Sequence, residues 1–361
     1  MNTSRDRVIK ALTHQPVDRA PRDLWVPRRT QLVRGDEVTE IVLRYPNDMM
    51  EPESLYPRGR RASGRRYDAG CHTDAWGCTW RVARRGERGQ VVEHPLKDHD
   101  AVAAYEPPWE LLDGAHLSRV NRLCGSTSQF VWVRIATWPF HRLRLLCGTE
   151  PAVLGLAESG SIRQLLEKVH RFACQEVGLW AASDVDGVAF GDDWSIPQDP
   201  LAARPLWYEV FMPLYEQYCQ IIREHDKFAF FVGRGPVGPT LVDLAQIGVD
   251  AVYCPASGLD LADLAGPLRG KITLWGGFDG SRSLRGGNPD EVRGAVRGLR
   301  EALDCGRGGL IAQCTWQPDI PFANLAALLE SWLEPVPTRT AKRLPRRTEK
   351  AVTATRTGKC R

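Results

Sequence analysis

Two adjacent carboxylates, Asp192 and Asp193, follow the apolar run Val188–Phe190. Side chains diverge at neighbouring positions of an extended chain, so at most one can face a common site. A carboxylate there can act as a general base or hold a substrate ammonium or pyrrole N–H, and burial raises its pKa. The simpler alternative is a cap on a following helix. Arg234 lies between glycines in Val232-Gly233-Arg234-Gly235. Glycine lets backbone approach a ligand, and a guanidinium suits bidentate binding of a carboxylate or phosphate. The alternative is an ion pair to Asp193 or Asp279. Asp279 follows Gly276-Gly277 and reads as a site carboxylate or an Asx turn. Cys314 ends another apolar run and reads either as a small core residue or, beside Arg234, as a thiolate. Asp23 and Trp25 lie near the end of the first apolar segment. Trp194, with Trp76, Trp138, Trp275 and Trp316, suggests an aromatic lining for a planar or hydrophobic ligand, or core anchors.

Eight short apolar segments must position these residues. They are Pro21–Val26, Asn47–Glu51, Phe130–Ile135, Asp186–Gly191, Lys227–Val232, Val249–Cys254, Ile272–Gly277 and Gly309–Cys314. Stretches with apolar spacings of three and four lie between them, among them Ile162–Leu179, Leu206–His225, Leu241–Ile247, Pro289–Leu303 and Asn324–Leu333. Strand–helix alternation argues for a parallel sheet, and eight strands for a closed (β/α)8 barrel. No GxGxxG follows any strand, so a dinucleotide-binding sheet has no support. In a barrel, residues just past the strand ends share one face. That rule brings Asp192, Asp193, Arg234, Cys254, Asp279 and Cys314 together, with Asp23 and Trp25 beside them.

Residues 52–129 break the rhythm and read as an insertion between the second and third barrel strands. It holds a hairpin, Cys78–Ala83 and Gln90–Glu93, with a charged turn over Arg84–Gly89. Its arginines 58, 60, 61, 65, 66, 84, 85 and 88 could attract an anionic partner or a second subunit. The barrel is expected over residues 1–337. From 338 to 361 nine Lys or Arg face one Glu, a tail expected to be disordered. The net charge of +4 therefore leaves the body near −4, which speaks against a nucleic-acid platform. No apolar run approaches the roughly 18 residues of a membrane span. Ten scattered cysteines without a CxxC, and an N-terminus without a secretory pattern, lead to the expectation of a cytoplasmic protein with reduced thiols. A homodimer across the barrel helices or the insertion fits this reading.

Four stretches resemble the uroporphyrinogen decarboxylase superfamily: RVIKALTHQPVDRAP, VDGVAFGDDWSIPQ, ITLWGGFDGSRSL and GGLIAQCTWQPDIPFANL. Asp74-Ala75-Trp76-Gly77 is similar to a segment of its methyltransferase-like branch, and a lid over the mouth is expected there. The resemblance runs from about residue 4 to 335. It implies a single (β/α)8 barrel with substrate at the C-terminal mouth. Two activities follow: carboxy-lyase chemistry on an anionic, tetrapyrrole-like substrate, or methyl transfer with a corrinoid protein as partner. The decarboxylase branch carries Arg-Gln-Ala-Gly-Arg after strand one, where this chain has Arg22-Asp23-Leu24-Trp25-Val26-Pro27-Arg28-Arg29, and a His where this chain has Cys314. The methyltransferase branch binds zinc through His-x-Cys-Gly after strand five and a Cys after strand eight. Here Val232 and Arg234 stand at the first two positions and only Cys314 matches. A catalytic zinc needs about three protein ligands, so no metal or other cofactor is expected; Cys254, Cys314 and Asp279 form the one substitute set. The expected roles are Asp192, Asp193 and Cys314 in catalysis, with Arg234, Asp279, Trp25, Asp23 and Trp194 binding substrate. A barrel that kept its pocket and lost its chemistry remains the third alternative.

Overall fold

Val, Ile, Phe and Trp dominate the eight short segments, and such chains form strands that are buried on both faces. A computed structural model describes residues 2–53, 55–97, 99–158, 160–195, 204–235, 238–253, 268–276, 282–303 and 306–334. Its strands are β1 (Arg22–Trp25), β2 (Met49–Met50), β3 (Gly70–Thr73), β4 (Thr79–Val82), β5 (Gln90–Glu93), β6 (Phe130–Arg134), β7 (Gly187–Asp193), β8 (Phe228–Arg234), β9 (Ala251–Tyr253), β10 (Thr273–Trp275) and β11 (Leu310–Thr315). Eight form one sheet in the order β1-β11-β10-β9-β8-β7-β6-β2, with every pairing parallel. β1 meets β2 again through backbone and side chains, so the protein is a nearly closed (β/α)8 barrel.

The expected helices are present, as Gly160–Ala181, Leu241–Ile247, Pro289–Leu303 and Phe322–Ser331. The stretch expected to be one helix from Leu206 contains a π-turn at Trp207–Phe211 before Met212–Glu224. The first helix, Ser4–Leu12, starts at a Thr3–Asp6 capping box and lies under the strand starts. Gly309 N and Thr273 Oγ1 both donate to Ala11 O, at 2.8 and 3.2 Å. Among the described residues no helix is long and apolar enough to cross a membrane.

The insertion is a three-stranded antiparallel sheet, β3-β4-β5, followed by the helix Leu117–Ser126. β4 and β5 are the expected hairpin; β3, the short polar GCHT, carries no alternating apolar signal. Asp74-Ala75-Trp76-Gly77 is the turn between β3 and β4 and is no free lid. The Asp74 carboxylate accepts from Trp76 N, Cys78 N and Trp80 Nε1. Trp76 is buried against Phe172 of the long helix, at 4.9 Å between ring centres.

Candidate active site at the barrel mouth

Alternate residues of each barrel strand point into the lumen. Trp25, Trp132, Phe230, Tyr253 and Trp275 meet there, with Trp25 stacked on Tyr253 at 4.9 Å and Trp132 edge-on to Trp275 at 4.7 Å. Asp23 is buried in this cluster. Its Oδ2 accepts from the indole N–H of Trp25 at 2.8 Å and of Trp275 at 2.7 Å. Burial pushes this carboxyl up to about 7, against the pull of the two indoles. Trp25 and Tyr253 stay partly open and make an aromatic floor. Arg134 lies over Trp25 at 4.7 Å and Trp132 at 5.2 Å, and holds Glu51 through both carboxylate oxygens.

The rim belongs to Asp193. Its side chain is surrounded by Arg234 Nη1 at 3.9 Å, Arg144 Nη1 at 4.0 Å and His141 Nδ1 at 3.8 Å. The Ser195 hydroxyl and amide also donate to it. Burial raises its pKa, but the bonds from Ser195 and the charge of Arg234 outweigh that and hold it below the ordinary carboxylate value. Burial, with the charges of Arg88 and Arg142, drives His141 down to about 3, so it is neutral at physiological pH. Its Nε2 is 3.5 Å from Arg88 Nη2, a pure donor, which assigns the ring proton to Nδ1. That N–H is buried and has no hydrogen-bond acceptor.

Arg88 comes from the charged turn of the insertion. The turn is docked at the mouth: Arg29 donates to Arg85 O at 3.0 Å, and Gly86, at φ +87°, leaves no room for a Cβ against Leu32 and Arg29. Arg88 is exposed along one side, but crowding by chain and by Arg234, Arg66 and Arg142 lowers its pKa to about 10. Arg142 lies over Trp76 and 3.4 Å from Asp74.

Four expected positions need correction. Asp192 turns away from the mouth and is fully buried, accepting from Phe140 N at 2.8 Å, His141 N at 2.6 Å and Tyr215 Oη at 2.9 Å. Burial pushes it up to about 6. It holds the start of the helix Pro139–Cys147, the capping alternative, but for a helix earlier in the chain. Cys314 shares the outer face of β11 with Leu310 and Ala312 and packs against the helix layer; burial pushes its thiol up to about 12, so it is no thiolate. Trp194 is 1% exposed, stacked on Phe140 and edge-on to Phe211, and does not line the mouth. Gly235 makes way for the Trp194–Ser195 backbone rather than for a ligand. Asp279 and Cys254 lie outside the described residues. Asp193, Arg234 and Trp25 sit at the lumen end, and Asp23 is buried beneath Trp25 with no open face toward the mouth.

Sequence reasoning missed His141, Arg144, Arg134 and Tyr253. The signal was available: three basic residues, at 141, 142 and 144, open the helix directly after β6. A cavity of about 260 Å³ lies at the opposite, strand-start end, lined by His14, Arg269 and Gly309; no expected site residue touches it.

No family model matches the sequence, and no curated protein matches it. Among solved structures, a methyltransferase from Methanosarcina mazei superposes with a TM-score of 0.69 at 15% identity, covering 92% of this chain and 98% of that one. What is shared is the barrel. A B12-independent methionine synthase from Shewanella sp. W3-18-1 reaches only 0.40, at 14% identity over 59% of this chain and 65% of that one. At 15% identity the side chains of the mouth must be judged on their own chemistry. They do not fit zinc: Val232 cannot ligate, Arg234 brings a positive charge, and Cys314 faces the outer layer. Among the described residues no three His, Cys, Asp or Glu side chains gather as a metal would require.

Proposed function

We propose that this protein is an enzyme acting on an anionic substrate with a planar body, bound at the mouth of the barrel. The observation that carries this is the surplus of guanidinium over carboxylate among the described residues of the rim, where Arg234 and Arg144 share the carboxylate of Asp193. A substrate carboxylate fits against the exposed guanidinium of Arg234, with its body on the floor of Trp25 and Tyr253.

The reaction this arrangement suits is loss of that carboxylate as CO2 from an electron-rich, tetrapyrrole-like ring. The ring first takes up a proton and becomes a cation, the carbon–carboxylate bond then breaks into it and releases CO2, and a second proton replaces the lost group as the ring gives up the first, so that one proton is consumed overall. Ionised Asp193 offers the negative charge that steadies the cation. Asp23 is a carboxyl that keeps its proton near neutral pH. Two carboxyls with pKa values driven apart suit acid and base roles. A second reading is methyl transfer with a corrinoid protein as partner. The likeness of the whole barrel to a methyltransferase favours it over decarboxylation at the level of fold; the poor fit of Val232, Arg234 and Cys314 to zinc, among the described residues, favours the first at the level of side chains.

Purified protein is given uroporphyrinogen, and separately a methylated corrinoid protein with a thiol acceptor. Release of CO2 supports the first reading and methylation of the thiol the second. Arg234→Ala is expected to weaken binding of the productive substrate about 10- to 100-fold, the cost of a lost charge-assisted contact of about 1.5–3 kcal/mol. Ligand binding that depends on Arg234 without turnover of either kind identifies a binding protein. Binding indifferent to Arg234 removes the reading.

A further inference from the structure

We propose that Arg88, delivered by the insertion, is a specificity residue that tunes the mouth to doubly charged anions. This rests on reading the mouth as an anion site. The barrel's own rim offers Arg234 and Arg144 around Asp193, enough for one further negative charge. Arg88 adds a guanidinium from a different part of the chain, and no carboxylate among the described residues pairs with it. Its nearest polar neighbour is a neutral imidazole, at 3.5 Å. Arg142, the next cation, is already matched by Asp74. Arg88 therefore stands among other cations, over the Trp80 ring at 5.9 Å and open to solvent on one side, where an entering anion would relieve the remaining repulsion.

The placement of Arg88 is built. The close approach of Gly86 to Arg29 and Leu32 and the bond from Arg29 to Arg85 O dock the turn beside the loop after β1. At its other end Arg88 reaches the helix after β6 through His141. The turn thus covers the β1–β2–β6 side of the mouth and presents a guanidinium opposite Arg234. Two carboxylates on one ring, or one phosphoryl group, would present negative charge to both Arg88 and Arg234, which flank His141 on its two sides. A single carboxylate can satisfy only one side.

Phthalate and benzoate share a ring and differ by one carboxylate, so titration calorimetry on the full chain at neutral pH isolates the second charge. The wild type is expected to bind phthalate about tenfold or more tightly than benzoate. Arg88→Gln is expected to lower phthalate affinity to the benzoate level and leave benzoate unchanged. Gly86→Val, which lifts the turn without touching a charge, is expected to have the same effect. A phthalate preference that survives Arg88→Gln overturns the role of Arg88 and leaves the mouth reading intact. Equal wild-type affinity for the two ions does the same. No binding of either ion at millimolar concentration overturns the mouth reading and this inference with it.

Discussion

One carboxyl under the aromatic floor keeps its proton near neutrality, while another at the rim is held ionised. The first, Asp23, has a folded pKa of about 7 against 3.8 as a free group. Between these values the folded chain keeps a proton that the unfolded chain has released. Its contribution to stability is therefore full below about pH 4 and is lost as the pH rises through 7. Asn at this position stays neutral throughout, and its carbonyl oxygen can accept from both indoles. Asp23→Asn is expected to match the wild type in urea midpoint at acid pH and to exceed it above pH 7, by on the order of a few kcal/mol. Taking the difference between variant and wild type at each pH cancels His141, whose lowered pKa has the opposite sign. A difference that does not change with pH would show that Asp23 is ionised in the fold.

The helix Pro139–Cys147 carries His141, Arg142 and Arg144 to the mouth, and its orientation is set from outside the site. Asp192 takes its first two amide N–H groups, those of Phe140 and His141 after Pro139, where the helix dipole also favours a negative charge. Arg144 returns a bond to Asp193 O at 2.8 Å. Asp192→Ala would leave the amides of Phe140, His141 and Asp193 and the Tyr215 hydroxyl without this acceptor. A loss of about 2–4 kcal/mol in unfolding free energy is expected, together with weaker anion binding although Asp192 faces away. Asp192→Asn keeps one accepting oxygen and is expected to lose less than half as much; equal losses would mean that the charge, not the bonds, holds the helix. This element also shows what a sequence can convey. The eight strands, the rim residues Asp193 and Arg234 and the hairpin could be read from apolar runs and punctuation. The faces of Asp192 and Cys314 could not, because a parallel barrel strand is apolar on both sides and its alternation leaves no mark. His141 and Arg144 went unread because they lie on a helix start, beyond the strand ends where the barrel rule looks, although the basic run that holds them is plain in the sequence.

Closing eight strands requires β1 to meet β2, and β2 is only two residues long. Side chains supply much of the missing ladder. Asn47 accepts from Leu24 N at 2.9 Å and donates to Leu24 O at 3.1 Å, imitating a strand. Asp48 N donates to Arg22 O, and the buried Asp48 carboxylate accepts from Arg22 N, Arg7, Arg19 and Ser4. The functional floor straddles this seam, since Trp25 and Asp23 lie on β1 while Arg134, stacked on Trp25, lies on β6 beyond β2. Asn47→Ala removes both imitated bonds and leaves the Leu24 amide unpaired, an expected loss of about 1–3 kcal/mol. Hydrogen exchange should then quicken at Leu24 and Asp48 while β8 and β9, at the far side of the barrel from the seam, keep their protection. Because the seam also keeps the Trp25 ring under Arg134, the same variant should weaken binding of a planar anion. Unchanged exchange at Leu24 would mean that packing alone closes the barrel. Faster exchange with unchanged binding would mean that the anion does not rest on the floor that β1 provides.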